Sequence, residues 1–513
     1  MSKFQIDWQE VARLMLLSRE LDLVEEELLV PQGKIKYQFS AKGHELSQVL
    51  LAQTLDHPHD AAAVYYRSRP FLLASGLSPE TALAAGMARA NTPSQGRDTG
   101  VVYNIPRQTG LTVLPASGNV GAQFTPAAGW AQASLYYRIV LGKSDWAGAI
   151  AVAHGGDGST ATNGFWAALN IATTLNLPML FFIEDNHYGL SVPTDLQTPG
   201  GNIAANLASF QNLRVIDGDG SDPRTAWAAI QTAVEHVRSG EGPCLLKLEV
   251  PRLQGHTFID DQSYKDPAEL EAEIRRDPLK QLKSYLSRRR ILSAKDWNVL
   301  QAAIREQIAA ALEEAEETPQ PDPDTAARQL FFDGTSPQQG GLRPENALPD
   351  LGSDSPQFSG ARINLIDAVR QTLETEMALN PRVLVFGEDV GVKGGVHGAT
   401  RDMQTHFGSE RVFDTSLSEE GIIGRSIGLA LAGLLPVPEI QFRKYADPAY
   451  EQLADIGSIR WRTANNFAAP VVVRIPVGYG KTTGDPWHSV SGEAIYAHTL
   501  GWRIAFPSNA EDA

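Results

Sequence analysis

Only one cysteine, Cys244, occurs in the 513 residues. An internal disulfide framework is therefore excluded, and a reducing compartment is expected. No apolar run approaches the roughly 20 residues needed to span a bilayer. Positive charge is in deficit: 44 Lys and Arg stand against 60 Asp and Glu, a net charge of −16. That balance argues against nucleic acid and against an anionic membrane surface as partners. The N-terminus reads as an amphipathic helix, with Asp7, Glu10 and Arg13 among its apolar residues, and not as a signal peptide. Short-period repeats and coiled-coil heptads are lacking too. What remains is ordinary globular composition, in a length that accommodates two or three domains. A cytoplasmic enzyme is the expectation.

Residues 1–317 alternate helical and strand-like patterns and close in a charged helical stretch over 266–317. The composition then changes. Residues 318–360 contain seven prolines, several glycines and little apolar periodicity, which reads as a linker. Leu330, Phe331 and Phe332 would tether it by docking on a neighbour. Beyond it, 363–379 is helical in pattern, 383–386 is a strand, and strand–helix alternation resumes to residue 513. The expected fold class is α/β, with two doubly wound domains over 1–317 and 361–513 and helical extensions.

The most informative segment lies between Asp157 and Asn186, 29 residues apart. An apolar run over 149–153 ends in glycines and suits a buried parallel strand. Residues 163–175 are apolar at helical spacing. A second apolar run, 179–183, closes on Glu184-Asp185-Asn186. Strand, glycine-rich turn, helix, strand places Asp157 and Asn186 at one sheet edge beside a helix N-terminus, where such folds bind ligands. Two hard oxygen donors, with backbone N–H groups free to meet phosphate, suit a Mg²⁺–diphosphate. The segment Asp217-Gly218-Asp219-Gly220 reads instead as an ordinary turn. His57 and His59, separated by Pro58, read as an exposed turn and not a metal site. Gly480-Lys481-Thr482 lacks the earlier glycine of a phosphate-binding loop.

Gly156-Asp157-Gly158 followed by Asn186 resembles the thiamine-diphosphate-binding motif. Further motifs extend the likeness. The first half carries Tyr66-Arg67, Gly118-Asn119-Val120-Gly121, Gly255-His256-Thr257 and Arg276-Asp277-Pro278-Leu279. The second carries Gly387-Glu388-Asp389, Asp414-Thr415-Ser416-Leu417-Ser418-Glu419-Glu420-Gly421, Pro438-Glu439-Ile440-Gln441-Phe442 with Tyr445, and His488-Ser489. The first half thereby resembles the α subunit, and the second the β subunit, of the heterotetrameric 2-oxo acid dehydrogenases, decarboxylating component. The pyrophosphate-type domain comes first and the pyrimidine-type domain second. The family's C-terminal domain is expected to be absent from this chain.

The resemblance implies roles residue by residue. Asp157, Asn186 and the carbonyl of Tyr188 would ligate Mg²⁺. Tyr66 and Arg67 would meet the diphosphate, with a solvated basic turn including Arg69 as the rival explanation. Gly156 and Gly158 would form the turn, and the backbones of Gly118 and Val120 would bond the aminopyrimidine. Leu190, Leu417 and Tyr445 would contact the cofactor, although simple core is an equal alternative for Leu190 and Tyr445. Glu419 would hold a proton at the pyrimidine N1′, so it should be buried with a raised pKa; Glu420 is the competing candidate. His256 and His488 would face the substrate as catalytic groups. Glu388 matches a glutamate between two cofactors.

The implied activity is oxidative decarboxylation of a 2-oxo acid with transfer of the acyl group to the lipoyl domain of a dihydrolipoamide acyltransferase. Residues 190–194 favour a branched-chain substrate, 3-methyl-2-oxobutanoate, over pyruvate or acetoin. Transketolase-like ketol transfer and a non-catalytic assembly fragment are the alternatives. The cofactor motifs divide between the two halves, so the resemblance implies a homodimer standing in for the family's α₂β₂ tetramer.

Overall fold

The computed structural model describes residues 6–100, 103–106, 110–332, 362–480 and 484–513. Lys481 and Thr482, and residues 333–360 of the expected linker, lie outside the described residues. The chain divides into two compact units. The first comprises residues 1–127, 148–328 and 462–464, and the second 128–147, 329–461 and 465–513. Residues 128–147, which precede the Gly156–Gly158 motif, thus belong with the second unit.

The first unit is built on six parallel strands: β1 (Ala61–Ala63), β2 (Thr112–Leu114), β3 (Ala151–Gly156), β4 (Met179–Asp185), β7 (Arg214–Asp219) and β8 (Cys244–Glu249). Their order is β2-β1-β3-β4-β8-β7. Both central strands are apolar on both faces, as a sheet covered on two sides requires. Val152, Leu180 and Phe182 point to one side, into a core shared with Val11, Met15, Val49 and Ile230. Phe181 points to the other, where it meets Phe124 and Phe165. Helices therefore pack on both faces, and the unit is doubly wound.

Local signals set the elements. Asp7 caps the helix Trp8–Val24 by accepting from the N–H groups of Gln9 and Glu10. Thr162 caps Asn163–Thr174, the helix joining β3 to β4. The charged stretch after residue 266 forms three helices, Pro267–Arg275, Pro278–Arg288 and Ala294–Glu317, each begun by an Asp or Ser cap. One expectation fails here. Asp217, Gly218 and Asp219 are not a turn but the end of β7, paired with Lys247, Leu248 and Glu249 of β8; ladder hydrogen bonds override the local turn propensity. The His57–His59 segment is a turn, as expected, with Pro58 exposed; His57 and His59 are half-buried, next to the buried Asp60 that pairs with Arg238 at 2.8 Å.

In the second unit, β9 (Val383–Gly387) lies between β10 (Val412–Asp414) and β11 (Leu435–Glu439), all parallel. The helix Leu365–Leu379 covers one face through Leu373 and Met377. Of the docking residues expected within the linker, Phe331 lies under the guanidinium of Arg503 and Phe332 under that of Arg460, each 5.3 Å away; both rings remain exposed.

Within this unit, residues 128–139 of the helix Phe124–Ile139 meet the helix Glu419–Leu431 backbone to backbone. A Cβ built on Gly129 would lie 2.0 Å from the carbonyl oxygen of Arg425. Gly129→Ala gains about 1 kcal/mol of helix propensity. It also forces two backbones apart, at a cost of about 1–3 kcal/mol or more. The expected net result is a lower urea midpoint for the variant; an unchanged or higher midpoint would show that the contact is not tight.

Candidate active site

β3 and β4 run side by side, with His154 opposite Phe182 and Gly156 opposite Glu184, so their carboxyl ends deliver Asp157 and Asn186 to the same edge. Asp157 is buried. Its Oδ2 accepts from the Thr194 hydroxyl, while its Oδ1 has no hydrogen-bond partner. Burial raises its pKa, and the nearby charge of Asp185 adds to the rise. Asp185 itself is occupied: it accepts from the His187 N–H at 3.0 Å and lies 3.3 Å from Lys247 Nζ. The Asn186 side-chain oxygen accepts only a 3.2 Å bond from the Tyr188 N–H. A buried carboxylate oxygen without a donor is costly, and a hard cation would satisfy it. The donor set of Asp157, Asn186 and the Tyr188 carbonyl therefore fits Mg²⁺. A Cβ on Gly158 would stand 2.9 Å from Gln197 Oε1 and 3.1 Å from the Gly189 Cα, so a side chain here would displace Gln197 and crowd the backbone of Gly189.

Cationic groups gather near the same edge. Arg67 is buried and gives its two Nη groups to the carbonyls of Ser40 and His256. Arg252, missed in the sequence, is 1% exposed and donates from Nη1 to the Leu190 carbonyl at 2.8 Å and from Nη2 to the Tyr264 hydroxyl. Its Nε is buried without a partner. Among the described residues neither guanidinium pairs with a carboxylate within 4.0 Å. Burial lowers the pKa of Arg252, and the charge of Arg67 lowers it further. Two buried, unneutralised guanidinium groups fit a diphosphate. The solvated-turn explanation for Tyr66-Arg67 fails, because Arg69 is buried as well, against Asp22 and Glu25. The signal for Arg252 was positional: it follows β8 by three residues, at the same sheet edge.

Burial, with Arg67 and Arg252, pushes His256 down to about 4, so its imidazole is neutral at pH 7. Its ring meets Tyr66 and Phe39 edge-on, and Phe39 stacks on Tyr66 at 4.3 Å. Leu190 sits in the two-residue loop between β5 (Tyr188–Gly189) and β6 (Val192–Pro193) with φ +60°. A left-handed leucine costs about 1 kcal/mol. Leu190 is 59% exposed and Val120 47%. Core packing is thus excluded for Leu190, and both residues present apolar surface.

Beneath this edge lies a carboxylate the sequence reading did not single out. Glu184 is fully buried and accepts from the Ser47 hydroxyl at 2.5 Å and from Gln48 Nε2 at 2.8 Å. His154 Nε2 and His44 Nδ1 lie 2.9 and 3.1 Å away. The favourable histidine interactions outweigh burial and hold its pKa well below the usual carboxylate range.

In the second unit, Ser418 caps the helix Glu419–Leu431, and Glu419 is its first residue. The expectation that Glu419 is buried is not met. Glu419 is half-buried, and the buried carboxyl is Glu420, with Oε1 unpartnered. Successive helix positions point about 100° apart, so the capped start turns Glu420 inward. Burial raises Glu420 to about 7, and Glu451 contributes. Glu388, half-buried, is also raised to about 7, by burial first and then by Glu419 and Asp389. Tyr445 and His488 come together: the Tyr445 hydroxyl is 3.0 Å from His488 Nε2, and Asp485 Oδ2 is 2.9 Å from Nδ1. Tyr445 is half-buried, not core, and Leu417 is 84% exposed.

Residues 12–324 match the family described as dehydrogenase E1 component, and residues 361–513 match the transketolase pyrimidine binding domain. The chain is 30% identical over 326 residues to the 2-oxoisovalerate dehydrogenase subunit alpha of Bacillus subtilis (strain 168), covering 63% of this chain and 94% of that one. It is 41% identical over 172 residues to the 3-methyl-2-oxobutanoate dehydrogenase subunit beta of Mycobacterium tuberculosis (strain ATCC 25618 / H37Rv), covering 33% and 48%. It is 39% identical over 166 residues to the pyruvate dehydrogenase E1 component subunit beta of Leifsonia xyli subsp. xyli, covering 32% and 48%. The chain thus spans about half the length of these β-subunit relatives. The α-type then β-type order read from the motifs is borne out, and the chain belongs to the dehydrogenase E1 component family, with domains of the thiamine-diphosphate-binding kind from both subunit types on one polypeptide.

Proposed function

We propose that the protein carries out the decarboxylating step of a 2-oxo acid dehydrogenase complex, with thiamine diphosphate and Mg²⁺. The substrate is 3-methyl-2-oxobutanoate, and the acyl acceptor is the lipoyl domain of a dihydrolipoamide acyltransferase. The observation that carries this reading is the unpartnered, buried Oδ1 of Asp157 at the same sheet edge as two guanidinium groups without carboxylate partners. The branched-chain preference is supported by the 190–194 sequence and by the names of the relatives. We further propose a cytoplasmic homodimer.

Thiamine diphosphate, when bound, supplies the nucleophilic carbon and electron sink that decarboxylation of a 2-oxo acid requires. Asp157, Asn186 and the Tyr188 carbonyl hold the metal; Tyr66, Arg67 and Arg252 meet the diphosphate. Burial is the larger cause of the low pKa of His256, and a bound diphosphate would oppose only the part that comes from Arg67 and Arg252. The backbones of Gly118 and Val120 bond the aminopyrimidine. Val120 and Leu190 in the first unit, and Leu417 and Tyr445 in the second, would give the cofactor apolar and aromatic contact. Glu419, at a capped helix start, would hydrogen-bond the pyrimidine N1′. His256 and His488 orient the substrate, the latter fixed through Asp485 and Tyr445.

Glu419 and Glu420 separate in two measurements. Glu419→Gln should slow decarboxylation of 3-methyl-2-oxobutanoate by about 10²-fold or more, while Glu420→Gln retains most of the rate; the reverse pattern would transfer the role to Glu420. Stability adds an independent sign. The folded pKa of Glu420, about 7, exceeds its ordinary 4.5. The folded state therefore binds the proton more tightly, and the wild type loses stability as pH rises through that interval. Glu420→Gln should melt above the wild type at about pH 8 and gain little at about pH 5; an equal shift at both pH values would contradict the assignment.

A further inference from the structure

A cavity of about 330 Å³ in the first unit is lined by Lys34, Lys36, Met87, Arg89, Thr99 and Gln320, among others. None of these residues has a part in the reaction proposed above. We propose that this cavity binds a small phosphorylated anion, and the proposal does not rest on the catalytic reading.

Charge is the first reason. Three cationic side chains converge on one concavity in a chain of net charge −16, a local inversion that raises anion concentration. Lys34 is engaged by Glu316 at 2.6 Å. Among the described residues, neither Lys36 nor Arg89 has a carboxylate partner within 4.0 Å. Among the described residues the buried Arg89 Nε has no hydrogen-bond partner, so no acceptor of the protein neutralises that part of the guanidinium.

Local backbone does not cancel this field. The helix Pro79–Gly86 ends at the cavity, and a helix carboxyl end disfavours anions. Its last carbonyls are capped, however. The N–H groups of Met87, Ala88 and Arg89 donate to the carbonyls of Leu83, Ala85 and Ala84 at 2.9–3.0 Å.

Shape and chemistry set the ligand class. A planar guanidinium beside flexible ammonium groups suits phosphate oxygens. A volume near the lower end of ligand cavities, about 300–1,000 Å³, admits a compact metabolite phosphate and not a polymer. Met87 and Ala88 offer a small apolar wall for its carbon skeleton. The wall residue Gln320 follows Pro319, whose carbonyl accepts from the Ala90 N–H at 2.9 Å; that side of the cavity is therefore pinned.

The test is calorimetry of the full chain with Mg²⁺ and thiamine diphosphate saturating, which occupies Arg67 and Arg252. Inorganic phosphate and sn-glycerol 3-phosphate are the probes, and citrate is the carboxylate control. One phosphate site per chain is expected, with sn-glycerol 3-phosphate binding at least as tightly and citrate more weakly. Lys36→Glu and Arg89→Glu should each weaken phosphate at least tenfold and leave thiamine diphosphate affinity unchanged. Thr99→Glu, at an exposed position, places a repelling carboxylate at the cavity without touching the cations and should act the same way, so a folding defect in the Arg89 variant leaves the test intact. Absence of phosphate binding, binding unaffected by Lys36→Glu and Thr99→Glu, or tighter binding of citrate would overturn the proposal.

Discussion

The carboxylate of Glu184 is the fixed point on which the first unit's candidate site depends. Buried without solvent, it takes hydrogen bonds from Ser47 and Gln48 and sits between His44 and His154. Those contacts tie β3, β4 and the helix Glu45–Ala52 to one charge. Every site position nearby is a short step from it. Asp157 is three residues beyond His154, and Asn186 two beyond Glu184. The Arg67 carbonyl accepts from the same Gln48 side-chain nitrogen that bonds Glu184. A buried charge satisfied from several elements costs much to break, about 3–5 kcal/mol, and that cost keeps the sheet edge in one geometry.

Above this closed network the site is left unfinished. Among the described residues Asp157 Oδ1 lacks a partner, Arg252 Nε lacks one too, and Val120 and Leu190 expose apolar side chains. Hard anion, buried cation and bare hydrocarbon are the three surfaces that a metal, a diphosphate and an aromatic heterocycle would cover. Leu190 is held at its left-handed φ by a bond from Arg252 to its carbonyl. The same guanidinium therefore holds the carbonyl of an exposed leucine and would meet the diphosphate proposed above.

The fold was legible where period and punctuation agreed. The alternation between 149 and 186 located β3, its helix and β4, because buried parallel strands are apolar throughout and the glycines fall between elements. Asp157 and Asn186 followed from that register. Other features depend on contacts that no local pattern encodes. Asp217–Asp219 carries turn residues yet pairs with β8. Arg252 is a single arginine after a proline, with no periodic neighbour to mark it. Glu419 and Glu420 are adjacent, and only the Ser418 cap decides which one turns inward. The membership of 128–147 in the second unit shows in contacts such as the backbone approach at Gly129, which in sequence is one glycine among 45.

The central claim is that Asp157 supplies the decisive charge for a Mg²⁺–diphosphate at the carboxyl edge of β3. Calorimetry of thiamine diphosphate binding, with and without Mg²⁺, on the wild type and on Asp157→Ala tests it most directly. The account predicts Mg²⁺-dependent binding in the wild type and a loss of at least about 1.4 kcal/mol, tenfold in Kd, in the variant. Binding of equal affinity without Mg²⁺, or in the variant with it, would contradict the account.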